Sequence, residues 1–233
     1  MLDNLQLNFR KEIIGPENDM VEAFLNHYIQ KFEQKNFKFK VLKEVYAETG
    51  IPDILIVVWE EMDKWGWSPK RNNLDKTDIK ILHHISLNGK RGIRFKRILE
   101  ELGYPEKISN KSLKKLVDAE LIDFNGTTAR IKDFESSFFV REIISIEAKI
   151  SDWKNAFRQA QLNENFSSHS YVLLPDEAIN ENVLASSNGN LGILSQSKNG
   201  AKLKVRAKKS KLPGSYFSWL INEYIGRQLA STL

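Results

Sequence analysis

The chain has 233 residues, 41% of them hydrophobic, with 35 basic against 30 acidic side chains, a net charge of +5 and a pI near 9.2. That length supports one large or two small cores. The lack of cysteine excludes disulfides and thiolate metal sites, while the modest basic excess is compatible with a polyanionic partner.

Along the chain, Asp19-Met20-Val21-Glu22-Ala23-Phe24-Leu25 reads as a helix capped by Asn18 or Asp19. Gly50-Ile51-Pro52-Asp53 then opens an apolar strand, Ile54 to Trp59, with a carboxylate at its start. That strand is the longest uninterrupted apolar run and is far too short to cross a bilayer. No basic segment followed by an apolar stretch opens the chain, so a soluble, cytoplasmic protein without a membrane partner is expected.

Residues 63 to 135 carry a helical pattern of their own. The Trp65-Gly66-Trp67 stretch before Ser68-Pro69 reads as a packed junction, with base stacking by a tryptophan as the other reading. Thr77 is placed to cap a helix with Ile79, Ile81, Leu82 and Ile85 inward and Gly89 at its end. A second helix is predicted from about Arg94 to Leu102, stopped by Gly103 and Pro105. Ser109 is placed to cap a third, with Leu113, Leu116 and Val117 on one face and Asn110, Lys111, Lys114 and Lys115 mainly on the other. A hairpin follows, Leu121 to Phe124 and Thr127 to Ile131, turned by Asn125-Gly126. Three helices and a hairpin are similar in architecture to a winged helix-turn-helix. That resemblance implies that Asn110, Lys111, Lys114 and Lys115 enter the major groove of DNA while Arg130 and Lys132 reach the backbone. Winged helices also bind proteins, and a lysine face is often merely solvated.

Next, Ile143-Ile144-Ser145-Ile146-Glu147-Ala148-Lys149 is an apolar strand ending in Glu-x-Lys, and a helix begins near Asp152. Strand side chains alternate, so Glu147 and Lys149 share a face, about 7 Å apart along the backbone. Mg2+ or Mn2+ takes hard oxygen ligands and usually needs only one or two protein carboxylates besides substrate phosphate. Asp53 and Glu147 could hold such an ion, and Lys149 could position the attacking water or neutralise charge growing on phosphorus. A surface ion pair at a strand end accounts for the same residues without chemistry.

On the helix, Trp153, Ala156, Phe157 and Ala160 define a buried stripe, with Gln159 at its border and Gln161 as its rival. Ser170 to Pro175 reads as a buried strand. Lys198 to Lys211 holds seven basic residues and no acidic one. Within it, Lys202, Lys204, Arg206 and Lys208 alternate with Leu203, Val205 and Ala207, as in a strand with one basic face and one buried face. That stripe could track a phosphate backbone, or it could shield an edge strand from self-association. Tyr216 to Leu229 has the apolar spacing of an amphipathic helix, suited to packing or to forming a homodimer. The four histidines are scattered and form no zinc pattern, and no glycine-rich phosphate loop is present.

Taken in order, these elements resemble the PD-(D/E)XK nuclease superfamily over roughly residues 10 to 62 and 136 to 211. The resemblance rests on Glu22 in the first helix, Pro52-Asp53, Glu147-Ala148-Lys149 and the following helix. It implies a restriction-endonuclease-like α/β fold, a mixed central sheet flanked by helices, interrupted by the winged-helix insertion. The nuclease-like domain would comprise residues 1–62 and 136–233, and the insertion residues 63–135. It further implies a metal-dependent DNA endonuclease with Mg2+ or Mn2+ on Asp53 and Glu147, Lys149 assisting the water, and Glu22 and Gln159 supporting the site. A DNA-binding regulator or interaction protein that keeps the fold with little activity is the alternative.

Overall fold

In the computed structural model of the chain, residues 5–33, 38–59 and 66–231 are described. Trp65 and the start of the expected insertion lie outside them. Among the described residues no helix is long and apolar enough to cross a membrane. The chain is mixed α/β and divides into two compact units, one of residues 7–33, 38–59 and 140–214, the other of residues 5–6, 66–139 and 215–231.

The first unit is built on a six-stranded sheet flanked by helices. Helix α1 spans Pro16–Tyr28 and a short α2 spans Gln30–Glu33. Strands β1 (Lys38–Lys43) and β2 (Ile54–Trp59) follow. Helix α1 starts earlier than Asn18 or Asp19 would set it: Gly15 holds the cap position, and Pro16 supplies the fixed backbone angle favoured in the first turn. Strand β2 keeps its predicted bounds because Ile54 to Val58 are buried on both faces.

The sheet continues after the other unit's central segment with β6 (Val140–Ala148), α7 (Trp153–Asn163), β7 (His169–Pro175), α8 (Glu181–Ala185), β8 (Gly192–Ser197) and β9 (Gly200–Val205). The strand order is β1-β2-β6-β7-β8-β9. Strands β1, β2 and β6 pair antiparallel, β6, β7 and β8 parallel, and β9 returns antiparallel.

Side-chain alternation divides the unit into two layers. Met20, Val21, Phe24 and Leu25 of α1 pack on Ile54, Ile56, Ile144, Ile146, Ala148 and Leu173. Ala156, Phe157 and Ala160 of α7 pack with Val172, Leu174 and Ile193 on a second core. Glu147 belongs by parity to the strand positions between those that face α1.

The second unit carries α3 (Lys76–Ser86), β3 (Ile93–Arg94), α4 (Phe95–Leu102), α5 (Glu106–Asp118), β4 (Ile122–Phe124), β5 (Thr128–Ile131), α6 (Phe134–Ser137) and α9 (Tyr216–Ala230). Its small sheet runs β3-β5-β4, all antiparallel. Asp75, not Thr77, caps α3, through a capping box with Asp78. Helix α5 begins at Glu106, three residues before the expected cap Ser109, which is buried inside it. Helix α4 stops at Gly103, whose left-handed φ of 68° costs glycine little. Asn125 closes the hairpin by accepting from the Thr127 and Thr128 amides, at 3.1 and 2.8 Å.

The division differs from residues 1–62 with 136–233 against 63–135, because α9 packs with the small-sheet unit. Glu223 on α9 is fully buried and takes both Nη2 and Nε of Arg71, and Arg71 also donates to the Ser137 carbonyl at 2.9 Å. Asn222 accepts from the Phe139 amide at 2.9 Å. Trp67 stacks under Arg71, with the guanidinium carbon 4.0 Å from the ring centroid, which is the packed role expected for it.

Candidate functional site

The site forms at the carboxyl end of β6, in the first unit. The β2–β6 register pairs Ile54 with Ile146, so Asp53, one residue before β2, stands opposite Glu147 on the same face. The Ala148 amide donates to Asp53 Oδ2 at 2.8 Å and ties the two strand ends together. Lys149 Nζ lies 4.0 Å from Asp53 Oδ2, 3.1 Å from Glu17 Oε2 and 3.0 Å from its own strand's Ala148 carbonyl. Its amide donates to Leu173 O at 3.1 Å, which fixes the lysine's backbone to β7.

Glu147 is only 2% exposed. Its Oε1 accepts from Asn163 Nδ2 of α7 at 2.6 Å, whereas its Oε2 is buried without a hydrogen-bond partner among the described residues. Burial, then repulsion from Asp53, pushes its carboxyl up to about 8, against the opposing pull of the Asn163 hydrogen bond and Lys149. Asp53 is also raised: burial outweighs the Ala148 amide, Lys149 and Arg10. Burial works against the Lys149 ammonium, but Asp53, Glu17 and Glu147 outweigh it and hold its pKa above the ordinary lysine value.

A buried carboxylate oxygen with no partner, facing a second carboxylate, is costly unless a proton or cation completes it. Asp53 and Glu147 are the residues that could hold a divalent ion here, an ion that needs only one or two protein carboxylates besides water and substrate oxygens. Among the described residues no set of three or more His, Asp or Glu side chains is arranged to hold a metal.

A cleft of about 540 Å³ opens beside Asp53 and Lys149, lined by these with Arg10, Glu12, Glu17, Lys43 and Glu44 and walled by Ile13, Ile14, Pro16 and Ile150; the buried Glu147 does not line it. Glu22 is not among its lining residues. It sits with Lys43, whose Nζ is 2.6 Å from both Glu22 and Glu12. The α1 acid that reaches Lys149 is Glu17, a full turn nearer the helix start. Of the glutamines, Gln161 is exposed while Gln159 is half-buried, with an Oε1 that finds no hydrogen bond among the described residues. The α7 residue that touches Glu147 is Asn163, four residues beyond Gln159 and on its helix face. Asn163 and Glu17 were missed. The buried stripe 156-160-163 marks Asn163 as an inward polar residue needing a partner, whereas nothing in the sequence ties Glu17 to Lys149.

The expected nucleic-acid residues are divided. Asn110, Lys111 and Lys114 are exposed on α5, as are Arg130 and Lys132. Lys115 is committed elsewhere: its Nζ is 2.7 Å from both Asp75 and Asp78, locking α5 to the start of α3. Strand β9 is an edge strand, and Lys202, Arg206 and Lys208 are exposed near it. Lys204 pairs with Asp176 at 2.7 Å. The expected buried face of this strand is incomplete, since Leu203 is 45% exposed and the strand ends at Val205.

No family model, curated protein or solved structure matches this chain.

Proposed function

We propose that the chain is a metal-dependent DNA endonuclease of the PD-(D/E)XK type, with a winged-helix unit that grips DNA. The observation that carries this reading is the buried Asp53–Glu147 pair, with Glu147 Oε2 lacking a partner and Lys149 at 4.0 Å from Asp53. The order α1-β1-β2-β6-α7-β7, three antiparallel strands followed by a helix and a parallel strand, supports the nuclease-like fold. The order α3-β3-α4-α5-β4-β5, with its three-stranded sheet, supports the winged helix.

Asp53 and Glu147 would hold Mg2+ or Mn2+, which when bound supplies a Lewis acid for the phosphate and an activated water. Asn163 orients the Glu147 carboxylate, and the Ala148 amide orients that of Asp53. In the hydrolysis the water oxygen bonds to phosphorus, one P–O ester bond breaks, and the leaving oxygen takes up a proton. Lys149 would offset the extra negative charge of that transition state once its ammonium leaves Glu17. Exposed Asn110, Lys111, Lys114, Arg130 and Lys132 would contact DNA from the winged-helix unit, and Lys202, Arg206 and Lys208 from the sheet edge.

A regulator that keeps the fold but cleaves little is favoured by one observation. Arg10 lies 3.8 Å from Asp53 and, with Lys149, supplies positive charge there without a metal. Cleavage of plasmid, linear, branched and single-stranded DNA with Mg2+ or Mn2+, set beside Lys149→Ala, separates the readings.

A further inference from the structure

Arg10 is the cleft's other cation beside Asp53, and nothing in the sequence pattern singled it out. Its backbone is pinned: its amide donates to Glu44 O at 2.8 Å, and the preceding Phe9 forms a bridge with Val45. Its Nη2 sits 2.5 Å from Glu44 Oε2 and 3.8 Å from Asp53 Oδ1. Its Nε is buried and donates to no acceptor among the described residues. A guanidinium suits bidentate oxyanions, and this one leaves a donor unused while lining the same cleft as Lys149.

Glu44 is fixed at the end of β1. It adopts φ 56°, a left-handed conformation unusual for glutamate, and its amide donates to the Asp53 carbonyl at 3.2 Å. Its backbone is therefore held beside that of Asp53, and its carboxylate reaches Arg10 from there. The first turn of α1, Pro16 to Asn18, also borders the cleft, and a helix start favours negative charge. A divalent cation on Asp53 would repel the guanidinium from its 3.8 Å contact and free it for another anion.

We propose that Arg10 is the phosphate-binding residue of this cleft. On nucleic-acid binding its guanidinium engages a nonbridging oxygen of the phosphodiester, and Glu44 is the positioning residue that presents it. The proposal rests on the nuclease reading for its catalytic part and on the cleft geometry for its binding part.

The test compares wild type, Arg10→Ala, Arg10→Lys and Glu44→Gln, each checked for folding by circular dichroism. Three quantities are measured: kcat and KM for DNA with Mn2+, DNA affinity with non-catalytic Ca2+, and Mn2+ affinity without DNA. Arg10→Ala is expected to lower kcat roughly tenfold to a hundredfold and to weaken DNA binding, with Mn2+ affinity kept. Arg10→Lys should recover part of the loss, and Glu44→Gln should show a smaller loss in the same direction. Cleavage and binding by Arg10→Ala equal to wild type overturn the proposal and leave the nuclease reading intact. A wild type that binds DNA through Arg10 but cleaves nothing overturns the nuclease reading and upholds the phosphate contact. Neither binding nor cleavage by wild type overturns both.

Discussion

Asn163 Nδ2 donates to Glu147 Oε1 at 2.6 Å, so helix α7 reaches the strand-end carboxylate through an asparagine on its buried stripe. Among the described residues this is the one hydrogen bond to the Glu147 carboxyl, whose other oxygen has none, which makes Asn163 sensitive to change. Asn163→Ala is expected to destabilise the metal-free protein by about 1–3 kcal/mol, the usual cost of leaving a buried polar group unsatisfied. Urea unfolding at neutral pH measures this, and an unchanged midpoint contradicts it.

Stability of the metal-free protein should depend on pH through Glu147. Its folded pKa is about 8, against an ordinary value of 4.5. Between those values the folded chain holds a proton that the unfolded chain has released, so this contribution is full below pH 4.5 and fades as pH rises through 8. Wild type should therefore lose stability relative to Glu147→Gln over that window. Parallel stability curves for the two proteins from pH 5 to 8 would show that Glu147 is not held neutral.

The lysines of α5 should separate by role. Lys111→Ala and Lys114→Ala should weaken DNA binding and each reduce the salt slope by about one unit of log affinity per log salt. Lys115→Ala should instead lower stability by about 1–3 kcal/mol, because it leaves the buried Asp78 carboxylate without its cation and with only its capping-box bond from the Asp75 amide. Fluorescence anisotropy across a salt series, with thermal melts alongside, distinguishes them. Identical behaviour of all three variants refutes the division.

At the sheet edge, Lys202→Ala and Arg206→Ala should weaken binding to every DNA form alike, since backbone contacts carry no sequence information. Lys204→Ala should matter less to binding, its ammonium being paired with Asp176. Selective loss of one DNA form in the first two variants argues against a backbone role.

Much of this fold was legible in residue patterns, and the reasons are physical. Strand β2 could be read because six consecutive apolar residues admit few alternatives. The ends of α4 and the β4–β5 turn could be read because Gly103 and Asn125-Gly126 have strong local preferences. The starts of α1, α3 and α5 were misplaced because several capping residues stood in competition and tertiary packing chose among them. The site divides the same way. Asp53, Glu147 and Lys149 announce themselves by sitting at apolar strand ends. Arg10, Glu17 and Glu44 enter the cleft by contacts between residues distant in sequence, and Lys115 leaves the exposed face for Asp75 and Asp78, which no local pattern encodes.

DNA cleavage with Mg2+ or Mn2+ by wild type, Glu147→Ala and Lys149→Ala, prepared identically, decides whether Asp53, Glu147 and Lys149 form a metal-dependent phosphodiesterase site. Wild type should cleave until EDTA removes the metal, and each folded variant should lose activity by a factor on the order of a hundredfold or more. Equal cleavage by all three proteins, or none by wild type on plasmid, linear, branched and single-stranded DNA, would contradict it.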